Sequence, residues 1–215
     1  MPARAMATAC ARRRMRGRDA AAMTHLALPR RAAAVLVFGT LAACNRPPPP
    51  FVALPADPNN PFADLARQGI LHTAYAFADP QRLAGRPAEA AQAISEAEFL
   101  AIDLSTNQRW TEMLPLVQIA FLQARPEWRG ALGIAPEAEP QTVIDAMTRV
   151  RMGVGAGDEA AAAAALAPPL VTPGGAPSFA RLSALPPLPQ TAWAAIRAQN
   201  ELWRIQRQGS RDRWP

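Results

Sequence analysis

From Pro61 onward, apolar residues recur every three or four positions, the repeat of one face of an α-helix. Phe62, Leu65, Ala66, Gly69/Ile70, Thr73/Ala74 and Phe77 form the first stripe, and Asp79-Pro80 ends it. A second stripe runs Ala90, Ile94, Ala97, Ala101 and Leu104, with Glu89, Glu96, Glu98 and Asp103 elsewhere around the helix. Pro87 near its start fits a first-turn position, where no amide donor is needed. The third segment, Trp110 to Ala124, is apolar on nearly all sides, with Pro115 expected to start or kink it. Its apolar part is about 12 residues, too short to cross a bilayer, so it is expected to be the central buried helix.

Pro126 to Leu132 reads as a short helix closed by Gly133. Val143, Met147, Val150 and Val154 make another stripe starting near Pro140, and Asp158 can cap the alanine run Ala160 to Ala165. Residues 168–189 hold seven prolines and two glycines and read as a long loop wrapped over the bundle. The last helix is expected from about Pro189 to Gln208, with Trp193, Ile196, Asn200 and Trp203 on one face. Arg197 and Glu201 are spaced for a surface ion pair on it, and residues 210–215 read as a tail. No stretch shows convincing strand alternation, and helix starts near 61, 87, 110, 140, 158 and 189 have no constant period. The predicted fold is all-α, a small irregular bundle of about five to six helices over residues 61–209.

Upstream the pattern changes. Residues 44–60 carry Pro47 to Pro50, Pro55 and Pro58, so they can be neither helix nor central strand. This proline-rich tether is expected to be an extended spacer with a reach of ~50 Å, at about 3.1 Å per residue. Before it, Ala32 to Leu41 are ten uncharged residues behind Arg30-Arg31. As a helix they would cover about 15 Å, half a bilayer core. Small residues and a thiol follow: Leu41-Ala42-Ala43-Cys44.

This order resembles the lipobox of bacterial lipoproteins. The resemblance covers residues 23–45. It implies that residues 23–43 are removed as a signal peptide and that Cys44 becomes a diacylated N-terminus, the lipid attachment site. The implied location is the cell envelope, facing the periplasm and tethered to a membrane. Asn45 stands where inner-membrane retention is associated with Asp, which favours the outer membrane. Residues 1–22, with six Arg, do not fit a signal segment, so the start is expected at Met23 and the preceding residues read as an over-extended N-terminus.

Dividing the chain at Cys44 changes its charge. Of the 23 basic residues all are Arg; residues 1–43 hold eight of them and one acid, a net of +7. The remainder has 15 Arg against 16 acids, a net of −1. The basic balance that would point to nucleic acid therefore belongs to the segment expected to be removed, and no nucleic-acid partner is expected. Cys10 goes with it, which leaves no thiol for a disulfide, a thiolate metal site or a catalytic cysteine.

His72 is the sole histidine after Cys44. Asp64, Asp79 and Tyr75 lie near it in sequence, but no G-x-S-x-G elbow supplies a nucleophile. It is expected on or near a helix surface with a local hydrogen bond. Gly153 to Gly157 follows a predicted helix rather than a strand, so it reads as a helix end and turn, not a phosphate loop. Glu96 and Glu98 are two apart and should face different sides, which prevents them sharing a substrate. Glu137, Glu139, Asp158 and Glu159 read as helix N-terminal charges. Five Trp (110, 128, 193, 203, 214) serve core packing by default, with a Trp-bearing docking face as the functional alternative.

The reading is a lipid-anchored envelope protein acting by protein binding, as an adaptor, pilot or structural accessory. No catalytic, cofactor or metal residue is assigned. The alternatives are an envelope hydrolase or lyase acting on cell-wall material with His72 and acidic residues, and a carrier of a small apolar ligand.

Overall fold

The computed structural model describes residues 50–56 and 60–211, with side chains through Gly209. The signal segment, Cys44, Trp214 and residues 212–215 lie outside the described residues. Helix α1 spans Leu65–Phe77, capped by the Asp64 carboxylate, which accepts from the Arg67 amide at 3.2 Å. A 3-10 turn at Pro80–Arg82 leads to α2, Pro87–Thr106. Another turn at Gln108–Trp110 precedes the short α3, Pro115–Gln118, and then α4, Ala120–Leu132. After a loop come α5, Pro140–Gly155, and α6, Glu159–Ala164, whose first turn Asp158 caps through the Ala161 amide at 2.8 Å. Helices α7, Gly175–Ser183, and α8, Pro189–Arg211, complete the chain. Among the described residues there is no strand, only an isolated bridge between Ile134 and Val171. The fold is all-α.

The centre is α2. Ala90, Ala91, Ala93, Ile94, Ala97, Leu100, Ala101 and Leu104 are buried, as are Ser95, Glu96 and Glu98. A helix apolar on most sides belongs in an interior, and alanines let neighbours approach it closely. Helices α1, α4 and α5 all pack on it. Helix α5 otherwise packs on α6, whereas α8 packs on α1, α3 and α4. Pro87, Pro140 and Pro189 each open a helix, as the sequence predicts. Gly133 ends α4 with φ +73°, and a side chain there would meet the Thr172 carbonyl at 2.1 Å.

Five expectations change. The apolar run Trp110 to Ala124 is not one central helix: it breaks at Pro115, which lacks an amide donor, and again at Ile119. Conversely, Pro126 does not begin a helix but lies inside α4. Residues 168–189 are not all loop, because Gly174 opens α7 and Ser178 and Leu182 bury its inner face. In α8 the buried face is Thr191, Ala194, Ala195, Ala198, Glu201 and Leu202, which leaves Trp193, Ile196 and Trp203 about two-fifths exposed.

The fifth change concerns the tether. Ala53 is fixed to α5 through both of its backbone polar groups: Gln141 Oε1 accepts from its amide at 2.7 Å and Gln141 Nε2 donates to its carbonyl at 3.1 Å. Val52 and Leu54 pack against the core. The spacer expected over 44–60 therefore meets the domain by residue 52, since alternate apolar side chains of an extended chain can be buried on one side.

Candidate functional site

The lipid-attachment expectation falls on Cys44, outside the described residues. Three arrangements in the folded part remain as candidates for chemistry or recognition.

The first is built around His72. Helix α1 presents its ring to α2, where Nδ1 meets Glu96 Oε2 and Nε2 meets Glu89 Oε1 at 2.8 Å. Gln92 Nε2 donates to the other Glu96 oxygen at 2.9 Å. Glu89, Gln92 and Glu96 recur at three and four residues, so they share one face of α2. Burial opposes a charged ring, but the Glu96 and Glu89 carboxylates outweigh it and push the His72 pKa up to about 9. At neutral pH the ring is therefore protonated and has no lone pair to take a proton. The groups near in sequence are engaged elsewhere: Asp64 with Arg109 and Arg67, and Asp79 as the cap of the 80–82 turn. His72 is thus held by long-range partners rather than the local one expected.

Beside this cluster lies a cavity of about 680 Å³, open to solvent. Glu89, Gln92, Ser95 and Glu96 of α2, Thr148, Arg151 and Met152 of α5, and Leu54, Pro55 and Ala56 of the anchored segment line it. Among the described residues, no group of three His, Cys, Asp or Glu side chains is arranged to hold a metal ion.

The second arrangement is internal. Glu98 is fully buried and accepts from Arg129 Nε at 2.7 Å, Arg129 Nη2 at 2.9 Å and Trp128 Nε1 at 2.8 Å. Arg129 Nη1 also donates to the carbonyls of Ala135, Pro136 and Ala138. Arg125 Nε stands 3.4 Å from Glu98, yet its buried Nε and Nη2 have no hydrogen-bond partner. Burial and the neighbouring Arg129 charge lower its pKa, with Glu98 acting against them. Glu96 and Glu98 do diverge as expected, one to His72 and one to Arg129. This network ties α2 to α4, and its Arg125 and Arg129 border a shallow surface pocket with residues 136–140.

The third is the outer face of α8. Trp193 is 41%, Ile196 42% and Trp203 42% exposed, and Arg197 and Arg207 are exposed with them. Arg197 lies over the Trp193 ring at 5.4 Å, not against Glu201 as its spacing predicts. Glu201 turns inward instead, accepting from the Leu114 amide at 2.9 Å and from Arg204 at 2.6 Å. Those bonds seat α3 on α8 and leave Leu114 and Leu116 more than half exposed beside it. Trp193 also forms a shallow pocket with Ala120, Gln123 and Pro189. Isolated exposed apolar residues are ordinary; here several lie together on two contacting elements.

No protein-family model, no curated protein and no solved structure matches the chain. The function therefore rests on the residues alone. The sequence placed Trp193 and Trp203 on one face of α8, whereas Glu89 and Glu96 as partners of His72 were not legible. Their shared helical face was the only available signal. No helix among the described residues is long and apolar enough to cross a membrane.

Proposed function

We propose that this chain is a lipid-anchored bacterial envelope protein that acts by binding another envelope protein, as an adaptor, pilot or structural accessory. The observation that carries the binding part is the strip Trp193, Ile196, Arg197, Trp203 and Arg207 on α8, continued by Leu114 and Leu116. Trp and Arg dominate interface energetics because each combines a large contact area with directional bonding. Arg197 lies over the Trp193 ring and Arg207 follows Trp203 by one turn, so the surface fits a partner that presents acidic side chains beside apolar ones. Attachment through Cys44, and the outer membrane as the destination, rest on the lipobox resemblance. The protonated, doubly bound His72 weighs against a hydrolase that needs it as a base.

The test has two arms. Cys44→Ala should abolish incorporation of labelled fatty acid; unchanged labelling sinks the anchor. A photo-crosslinking residue at position 196 should give one discrete adduct in cells, absent when the same group is placed at position 149. Trp193→Ala with Trp203→Ala should remove that adduct while leaving the unfolding transition intact. An adduct that survives both substitutions refutes the α8 face as the binding surface.

A further inference from the structure

The most exposed large apolar side chains of the described residues are Phe62 at 96%, Phe51 at 81% and Met152 at 68%. They are not on α8. Phe51 belongs to the segment latched by Gln141, between Pro50 and the inward-packed Val52. Met152 lines the cavity together with Leu54, Pro55 and Ala56 of the same segment. Phe62 lies three residues before Leu65, which lines that cavity too. Residues 50–56 run along α5 from Pro140 and Gln141 toward Met152, and Phe62 follows just before α1, so the three border the segment by which the chain coming from Cys44 joins the domain.

The distance to Cys44 fixes what can cover them. Pro50 is the sixth residue after Cys44. Fully extended, those six steps span about 20 Å. The headgroup zone on each side of a bilayer is itself roughly 5–7 Å deep. If Cys44 carries acyl chains, the latched segment stays within about 20 Å of the lipid surface, far less than the ~50 Å allowed by a free spacer. Short linkage makes any contact with that surface effectively intramolecular, so even modest apolar burial is favoured. The charges at this surface are mixed: Arg149 and Arg151 are balanced by Asp145 and Glu89. Attraction to anionic lipid is therefore small, and the apolar side chains decide the contact.

We propose that the surface bearing Phe51, Phe62 and Met152 rests on the bilayer that holds the lipid anchor, with the aromatic rings at headgroup level. This rests on the lipoprotein reading. Helix α8 does not share its main packing partners with α5, which carries Met152 and the Gln141 latch. Seating one surface on the membrane leaves the Trp193 strip free for a partner.

The chain is suited to a direct test, because with Cys44 acylated and residues 1–43 removed the mature protein contains no free thiol. Phe51→Cys then supplies a single labelling site, and Asn200→Cys on α8 supplies the control. Each variant is expressed as the full chain, purified in its acylated form and labelled with a polarity-sensitive fluorophore. Reconstitution follows in phosphatidylethanolamine–phosphatidylglycerol vesicles containing nitroxide-labelled lipid. The probe at position 51 should shift to the blue and be quenched, both unchanged by raised salt, while the probe at position 200 stays aqueous. An acylated, vesicle-bound protein whose probe at 51 remains aqueous overturns the surface and leaves the anchor standing. Equal immersion of both probes overturns the orientation. Absence of acyl groups on the purified protein removes the anchor reading itself, and the proposal with it.

Discussion

Glu98 of α2 is bound bidentately by Arg129 of α4, at 2.7 and 2.9 Å, with both side chains almost wholly removed from solvent. Removing one partner strands the other charge in a low-dielectric interior, whereas replacing both with apolar groups can be nearly neutral. Glu98→Gln is therefore expected to cost about 3–5 kcal/mol in denaturant unfolding. The pair Glu98→Leu with Arg129→Met should recover part of that loss. Recovery stays partial because Trp128 Nε1 loses its acceptor. An additive double variant would show that the two residues do not act as a pair.

Arg125 gives the contrasting case in the same helix. Its buried Nε and Nη2 donate to nothing, so it carries a desolvation cost without full return. Arg125→Met keeps most of the volume and removes the charge. It should be neutral or raise stability by about 1 kcal/mol in the same unfolding measurement. A large loss would mean that the 3.4 Å approach to Glu98 contributes more than its geometry indicates.

The His72 cluster sets a pH dependence. Its pKa is raised to about 9, so the folded state holds a proton that the unfolded chain releases near 6.5. The stabilisation is fully present below pH 6.5 and is lost as pH climbs through about 9. The loss should be about 2 kcal/mol, reduced from the full linkage value because Glu89 is partly solvated. No other histidine or thiol in the described residues titrates in that window. Urea midpoints measured between pH 6.5 and 9.5 should fall, and His72→Gln should flatten the curve. A wild-type midpoint independent of pH would refute the doubly bound imidazolium.

What the sequence made legible follows from how local each signal is. Helix starts at Pro87, Pro140 and Pro189, the Asp158 cap and the Gly133 stop depend on a few adjacent residues and were all readable. The inner and outer faces of α8 were not, because alanines and aromatic rings both count as apolar. The bundle buries Ala194, Ala195 and Ala198 since small side chains permit close helix approach. Glu96 and Glu98 were correctly separated to two sides of α2. Their partners, His72 at 24 residues' separation and Arg129 at 31, come from helices whose arrangement no local pattern encodes.

Two glycines of α5 should respond oppositely to alanine. A Cβ on Gly153 would lie 2.7 Å from the Ala162 amide nitrogen, so α5 and α6 must separate to admit it. Gly155 has nothing within 4 Å of the same position. Alanine at 155 should gain up to about 1 kcal/mol from helix propensity. Alanine at 153 should instead lose about 1–3 kcal/mol through overpacking. Thermal melts of the two variants check both signs, and a stabilised Gly153→Ala would show that α5 and α6 part at no cost to admit a methyl group.

The latch between Gln141 and Ala53 decides whether the chain entering the domain is a fixed mount or a free leash. Gln141 makes two hydrogen bonds to the backbone of Ala53 and a third to Asp145, while Val52 and Leu54 add only partly buried apolar area. Gln141→Ala removes the polar bonds and leaves the bundle core untouched. At about 1 kcal/mol net for such bonds, local opening of residues 50–56 should become several-fold more frequent while the global unfolding midpoint barely moves. Limited proteolysis reads the population of the opened segment when opening is fast relative to cleavage, so cleavage near Phe51 should accelerate by that factor. Equal cleavage rates in both proteins would mean that Val52 and Leu54 alone hold the segment. Faster cleavage with weaker membrane quenching of a probe at position 51 would tie the latch to the orientation of the domain on its membrane.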